Sequence, residues 1–137
     1  MYILDTNTSC LGKSTLLKAN GVTAVGRYYR KETHPEYRIS KAEAQELSKA
    51  GISLFVVFED YGRADKLILT EEQGINDATS ALQQAKDIGQ PSGTAIYFAA
   101  EGLPDGYKSA DLPKIKNNFK GIKDKLAGKF VPGVYGD

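Results

Sequence analysis

Four times in this chain a helix-like segment closes on a glycine and the next residues enter a β-type run. The helix ends are Ala19-Asn20-Gly21-Val22, Lys49-Ala50-Gly51-Ile52, Asp87-Ile88-Gly89 and Leu126-Ala127-Gly128-Lys129. Glycine suits such a position because the residue after a helix often takes a left-handed conformation. The runs that follow cover 24–29, 53–58, 94–98 and 130–135, and an earlier run, Ile3-Leu4-Asp5, opens the chain. The spacing of roughly 30 to 40 residues is that of a βα unit. The run Thr94-Ala95-Ile96-Tyr97-Phe98-Ala99-Ala100 is short and continuously apolar, the pattern of a strand buried on both faces.

The intervening segments carry helix signals. Ser14 to Ala19 has Leu16 and Leu17 as its apolar face. Ser40 with Glu43, and Thr70 with Gln73, each read as a capping box opening a helix. Ile75, Ala78, Leu82 and Ala85 give the third helix its stripe. A fourth starts at Ser109 or Asp111, tolerates Pro113 in its first turn, and turns Ile115, Phe119, Ile122 and Leu126 inward. The order is β-α-β-α-β-α-β-α-β, which predicts a parallel sheet in an α/β fold. An open doubly wound sheet and a TIM-type (β/α) barrel both fit this pattern. A complete barrel needs ~200 residues or more, and the chain has 137. The barrel reading is therefore one domain over 1–137, truncated at its C-terminus, holding the first five strands and four helices. Its outer strands would have open edges, through which two copies could pair as a homodimer.

Composition narrows the function. Lys+Arg 18 against Asp+Glu 17 gives no basic surface for nucleic acid or an anionic membrane. No apolar run reaches the ~20 residues of a membrane span, and Met1-Tyr2-Ile3-Leu4-Asp5 shows no signal peptide. Cys10 and His34 are each the sole residue of their kind, too few for a four-ligand zinc site. Gly12-Lys13-Ser14-Thr15 sits where a phosphate loop would, but Asn7 holds the place of the required first glycine, so a loop and helix start is the better reading.

Four apolar strands end in an acid: Asp5, then Glu59-Asp60, then Glu101, then Asp137. The C-terminal rim of a parallel sheet is where α/β enzymes keep their chemistry. Alternation lets only one of Glu59 and Asp60 point into that rim. Two carboxylates facing one cleft can divide into a protonated acid and an ionised base or nucleophile, the minimal equipment for glycoside hydrolysis. Arg27-Tyr28-Tyr29-Arg30 ends the second strand, and Tyr135 lies near the end of the last; aromatics with arginines suit sugar stacking and hydroxyl recognition, an inward Arg suits a carboxylate, and packing with solvated charge explains the run equally well.

The stretches Asp5-Thr6-Asn7-Thr8, Gly21-Val22-Thr23-Ala24-Val25-Gly26-Arg27-Tyr28-Tyr29, Ile39-Ser40-Lys41-Ala42-Glu43-Ala44, Phe58-Glu59 and Ala95-Ile96-Tyr97-Phe98-Ala99 resemble the glycoside-hydrolase-like domain of unknown function 1906. The resemblance implies a TIM-type barrel distantly similar to the Chalaropsis-type (family 25) lysozymes, which cut peptidoglycan. In those lysozymes the first strand ends in an Asp and the fourth in an Asp-x-Glu pair. Asp5 and Glu101 match the first Asp and the Glu, whereas Ala99 stands where the Asp of the pair would be. The expectation is a glycoside-hydrolase-like domain acting on a cell-wall glycan. Glu101 is the general acid, Asp5 the second carboxylate, and Glu59 and Asp137 are auxiliary acids. Arg27, Tyr28, Tyr29 and Tyr135 line the sugar site, with no metal or cofactor required. Ala99 supports the alternative, a catalytically silent carbohydrate- or cell-wall-binding module.

Overall fold

The computed structural model describes residues 1–30, 34–60, 68–100 and 108–136. Among them the order is β1 (Tyr2–Asp5), α1 (Ser14–Ala19), β2 (Val22–Tyr29), α2 (Lys41–Lys49), β3 (Ser53–Phe58), α3 (Glu71–Ile88), β4 (Ala95–Ala99), α4 (Leu112–Leu126) and β5 (Val131–Tyr135). The strands form one sheet in the order β1-β2-β3-β4-β5, every neighbouring pair parallel. A doubly wound sheet reverses its strand order at a switch point. Here spatial order follows chain order throughout, as in a TIM-type barrel, and the barrel is not closed.

The sheet is nonetheless curled. Tyr135 on β5 reaches Asp5 on β1, although these are the two edge strands. Four strand spacings of about 4.8 Å would separate those edges by about 19 Å in a flat sheet, beyond the reach of one tyrosine. The concave face must therefore bring the strand ends toward one another.

The convex face carries the helices. Val25 and Leu47 pack with Cys10 and Ile52, while Tyr29, Val56, Phe58, Ile96 and Phe98 pack with Ala78, Ala81, Ala85, Ile122 and Leu126. Full burial of each Val, Leu, Ile or Phe side chain among them contributes about 1.5–3 kcal/mol. The alternate residues face the concave side, and several of them are less covered. Phe55, Tyr97 and Ala99 are only half-buried, so β4 is sealed on one face, not on both as its apolar run suggested. The run alone could not reveal that its second face lines a hollow.

Helices α3 and α4 meet through two glycines. A Cβ on Gly74 would lie 2.1 Å from the Asn118 carbonyl oxygen, and one on Gly121 would lie 2.2 Å from that of Glu71. This backbone approach displaces the expected stripes. Asn118 and Gly121 are buried with Ile122 and Leu126, and Ile75 is left exposed.

The caps follow half of the expected pattern. Ser40 Oγ accepts from the Glu43 N–H and Thr70 Oγ1 from the Gln73 N–H. The reciprocal bonds are replaced. Gln73 donates its side-chain amide to Asp77, and Glu43 turns into the protein. At the C-terminus of α3, Gly89 takes φ 80°, the left-handed cap its position predicted.

Candidate functional site

The concave rim is built on Asp5, the last residue of β1. Its Oδ2 accepts a hydrogen bond from the Tyr28 hydroxyl at 3.1 Å and another from the Tyr135 hydroxyl at 2.6 Å. Tyr28 is the penultimate residue of β2 and Tyr135 the last of β5, so strands at both sides of the arc aim at one carboxylate oxygen. The other oxygen, Oδ1, lies above Gly26, where an added Cβ would stand 3.0 Å from it and 2.3 Å from the Phe55 ring. Glycine at 26 is thus the residue that lets Asp5 and Phe55 share this space.

Below this layer the hollow is aromatic. Phe55 and Tyr97 meet edge to face with centroids 6.3 Å apart, and the Tyr97 ring covers Gly133. Ala99 pairs with Tyr135 across β4 and β5, which places a small side chain beside the Tyr135 ring. Burial, then the Tyr135 hydroxyl, then the Asp5 charge push the Tyr28 phenol well above its ordinary ionisation range. Tyr28 therefore stays protonated as a donor to Asp5 at neutral pH.

Arg30 extends the rim one step beyond β2. Its guanidinium lies 5.7 Å from the Tyr28 ring centroid and 5.2 Å from that of Tyr37. It faces Glu59 at 3.6 Å. The Arg30 N–H donates to Gln84 on α3, which fixes the backbone there. Glu59 lies on the concave side with a largely covered side chain.

Two expected members are not in this group. Arg27 is 0% exposed and turned to the helix side. Its Nε donates to Glu43 Oε1 at 2.7 Å, and its Nη1 donates to the Thr6 carbonyl at 2.7 Å. Glu43 also accepts from the Cys10 N–H at 2.7 Å and from Ser9 Oγ at 3.3 Å. Arg27 and Glu43 therefore tie the loop after Asp5 to α2, and Arg27 lines no sugar site. Tyr29 is likewise in the core, donating its hydroxyl to Gln90 at 2.6 Å. Strand alternation explains both. Only Tyr28 of the Arg27-Tyr28-Tyr29 run shares the face of Asp5. Glu101 and Asp137 lie outside the described residues.

The phosphate-loop position is also accounted for. Glu46 accepts from the Gly12 N–H at 2.7 Å and the Ser14 N–H at 3.1 Å, so a carboxylate takes the donors a phosphate would need. Those bonds hold Glu46 below its ordinary range. Among the described residues, no group of three or more His, Cys, Asp or Glu is placed to hold a metal ion, and no helix is long and apolar enough to cross a membrane.

The sequence reading passed over Phe55, Tyr97 and the Glu43 hub. Phe55 and Tyr97 are two residues before Val57 and Ala99 on the same face, and that period of two was the available signal. Glu43 carried none, because its place three residues after Ser40 already had a capping explanation.

A curled parallel sheet whose strand order follows chain order defines a TIM-type (β/α) architecture with an acid, Asp5, on its C-terminal rim. The family model described as Rv2525c-like, glycoside hydrolase-like domain matches residues 15–137, and the chain belongs to that family. It is 34% identical to the uncharacterized protein YbfG of Bacillus subtilis over 90% of this chain, which spans 18% of that protein. In structure it resembles the Tat-secreted protein Rv2525c of Mycobacterium tuberculosis, solved in complexes with HEPES and with L-tartrate. For the HEPES complex the TM-score is 0.72 at 19% identity, covering 96% of this chain and 66% of that one. It also resembles the modular autolysin LytC of Streptococcus pneumoniae, with a TM-score of 0.70 at 20% identity, covering 98% of this chain and 32% of LytC. LytC has also been solved with a synthetic peptidoglycan ligand.

Proposed function

We propose that this domain binds a cell-wall glycan at the rim formed by Asp5, Tyr28 and Tyr135 and cleaves it by carboxylate acid/base chemistry. The observation that carries the reading is the convergence of two phenols from distant strands on one Asp5 oxygen. Family membership and the likeness to an autolysin solved with a peptidoglycan ligand support it. Asp5 stabilises positive charge at the anomeric carbon or orients water, and the phenols hold its carboxylate in place. Phe55 and Tyr97 offer apolar faces to sugar rings. Glu101, two residues beyond Ala99, protonates the leaving oxygen. Glu59 and Asp137 act as auxiliary acids.

Incubation with purified peptidoglycan, scored both for retention of the protein and for released reducing ends, tests the assignment. Glu101→Gln should keep binding and lose release. A Glu101→Gln protein that releases reducing ends at the wild-type rate overturns it.

A second reading is a glycan-binding module without turnover. Ala99 favours it, because the resemblance to the lysozymes implies an Asp of the Asp-x-Glu pair at this position, where this chain has a methyl group paired with Tyr135. Retention on peptidoglycan with no reducing ends from the wild type selects this reading.

A further inference from the structure

We infer that Arg30 makes one end of the rim a subsite for an anionic group, so that the preferred glycan carries a free carboxylate; this rests on the glycan-binding reading above.

The guanidinium of Arg30 is desolvated but poorly matched. The residue is 7% exposed, and its charge is stacked beside the rings of Tyr28 and Tyr37. Its Nε is buried with no hydrogen-bond partner among the described residues. Its ion-pair partner Glu59 approaches one terminal nitrogen at 3.6 Å, beyond hydrogen-bond distance. A buried guanidinium donor without an acceptor is costly, and a ligand that brings an acceptor relieves that cost.

The contrast with Arg27 is informative. That buried arginine is fully engaged, donating to the Glu43 carboxylate and the Thr6 carbonyl. Arg30, 7% exposed against 0% for Arg27, is also buried but its Nε makes no such bond among the described residues. It adjoins Tyr28, whose hydroxyl is on Asp5, so a ligand on Asp5 would extend toward it. Gln84 holds the Arg30 backbone, which makes this a fixed feature of the rim. A planar carboxylate fits a guanidinium fork through two parallel bonds.

The test uses the disaccharide N-acetylglucosaminyl-N-acetylmuramic acid with its free lactyl carboxylate, and the same disaccharide as its methyl ester. Titration calorimetry on the wild type should show the free acid binding roughly tenfold tighter than the ester. Arg30→Gln should abolish that difference and Arg30→Lys should keep part of it, thermal melting confirming that each variant is folded. Glu59→Gln should increase the preference, since it removes the competing carboxylate; a purely structural ion pair predicts no such gain. Equal binding of acid and ester by the wild type leaves the glycan reading standing and overturns the role of Arg30. A preference that survives Arg30→Gln assigns it to another cation and also overturns that role. Binding of neither sugar overturns both readings.

Discussion

Tyr135 donates its hydroxyl to the Asp5 carboxylate across 2.6 Å, and the two residues are 130 positions apart in the chain. The bond joins the edge strands β1 and β5 and is thus a contact that exists only when the whole arc is formed. Tyr135→Phe keeps the ring and removes the bond. It should cost about 1 kcal/mol, lowering Tm by roughly 3–5 °C. An unchanged Tm would mean that the arc is held by the convex core alone.

Tyr28 makes the second bond to the same oxygen, and burial, the Tyr135 hydroxyl and Asp5 all favour its protonated form. Tyr29 is shifted the same way, first by burial and then by Asp87. For both, the folded state retains a proton that the unfolded chain releases near pH ~10. Their contribution is therefore complete below that pH and declines as pH rises above it. Absorbance titration should show these phenols ionising only after the exposed tyrosines. Denaturation at pH 9, 10 and 11 should show stability falling above 10, less steeply in Tyr28→Phe. Equal slopes would contradict the shift at Tyr28.

The Arg27–Glu43 pair is buried on both sides, with side-chain exposures of 0% and 1%. Removing one partner leaves a charge without its counter-ion, so Arg27→Met or Glu43→Gln should cost about 3–5 kcal/mol, whereas replacing both by apolar residues should cost less. The loop would loosen with it. Cys10 is held by Glu43 through its N–H, and its thiol is raised by burial first and by the Glu43 charge second. Native Cys10 should react slowly with a thiol reagent, and Glu43→Gln should speed that reaction severalfold. Additive single-mutant costs in a double-mutant cycle would argue against the coupling.

The sequence made the strands and their parallel order legible because each is a short apolar run between helix signals, and β3 spans 53–58 as read. The rim position of Asp5 followed from the same logic. Arg27 and Tyr29 were misplaced because aromatic and basic residues at a strand end look alike whichever face they take. Choosing among three consecutive residues requires the register, which Gly26 beneath Asp5 and Phe55 fixes in the structure. The Gly74–Gly121 crossing was also illegible, since it depends on which two helices pair.

That crossing gives a direct stability test. Gly74→Ala and Gly121→Ala would each drive a methyl group into a backbone carbonyl that belongs to the partner helix. Each should cost about 1–3 kcal/mol or more by denaturant unfolding, although alanine is the better helix former. A gain in stability would show that the helices can separate freely.

Gly26→Ala probes the floor of the site. Its methyl group would meet the Phe55 ring and the Asp5 carboxylate at once. A loss of about 1–3 kcal/mol is expected, and the heteronuclear NMR signals of Asp5 and Phe55 should shift together. Movement at neither residue would contradict their close approach.

We propose Asp5, clasped by Tyr28 and Tyr135, as the centre of a glycan-binding rim. The direct measurement is the binding isotherm of the wild-type chain and of Asp5→Ala on solubilised peptidoglycan, with folding checked by circular dichroism. The wild type should bind saturably, and a folded Asp5→Ala should lose at least tenfold in affinity. Equal binding by the two proteins, or none by the wild type, would contradict the proposal.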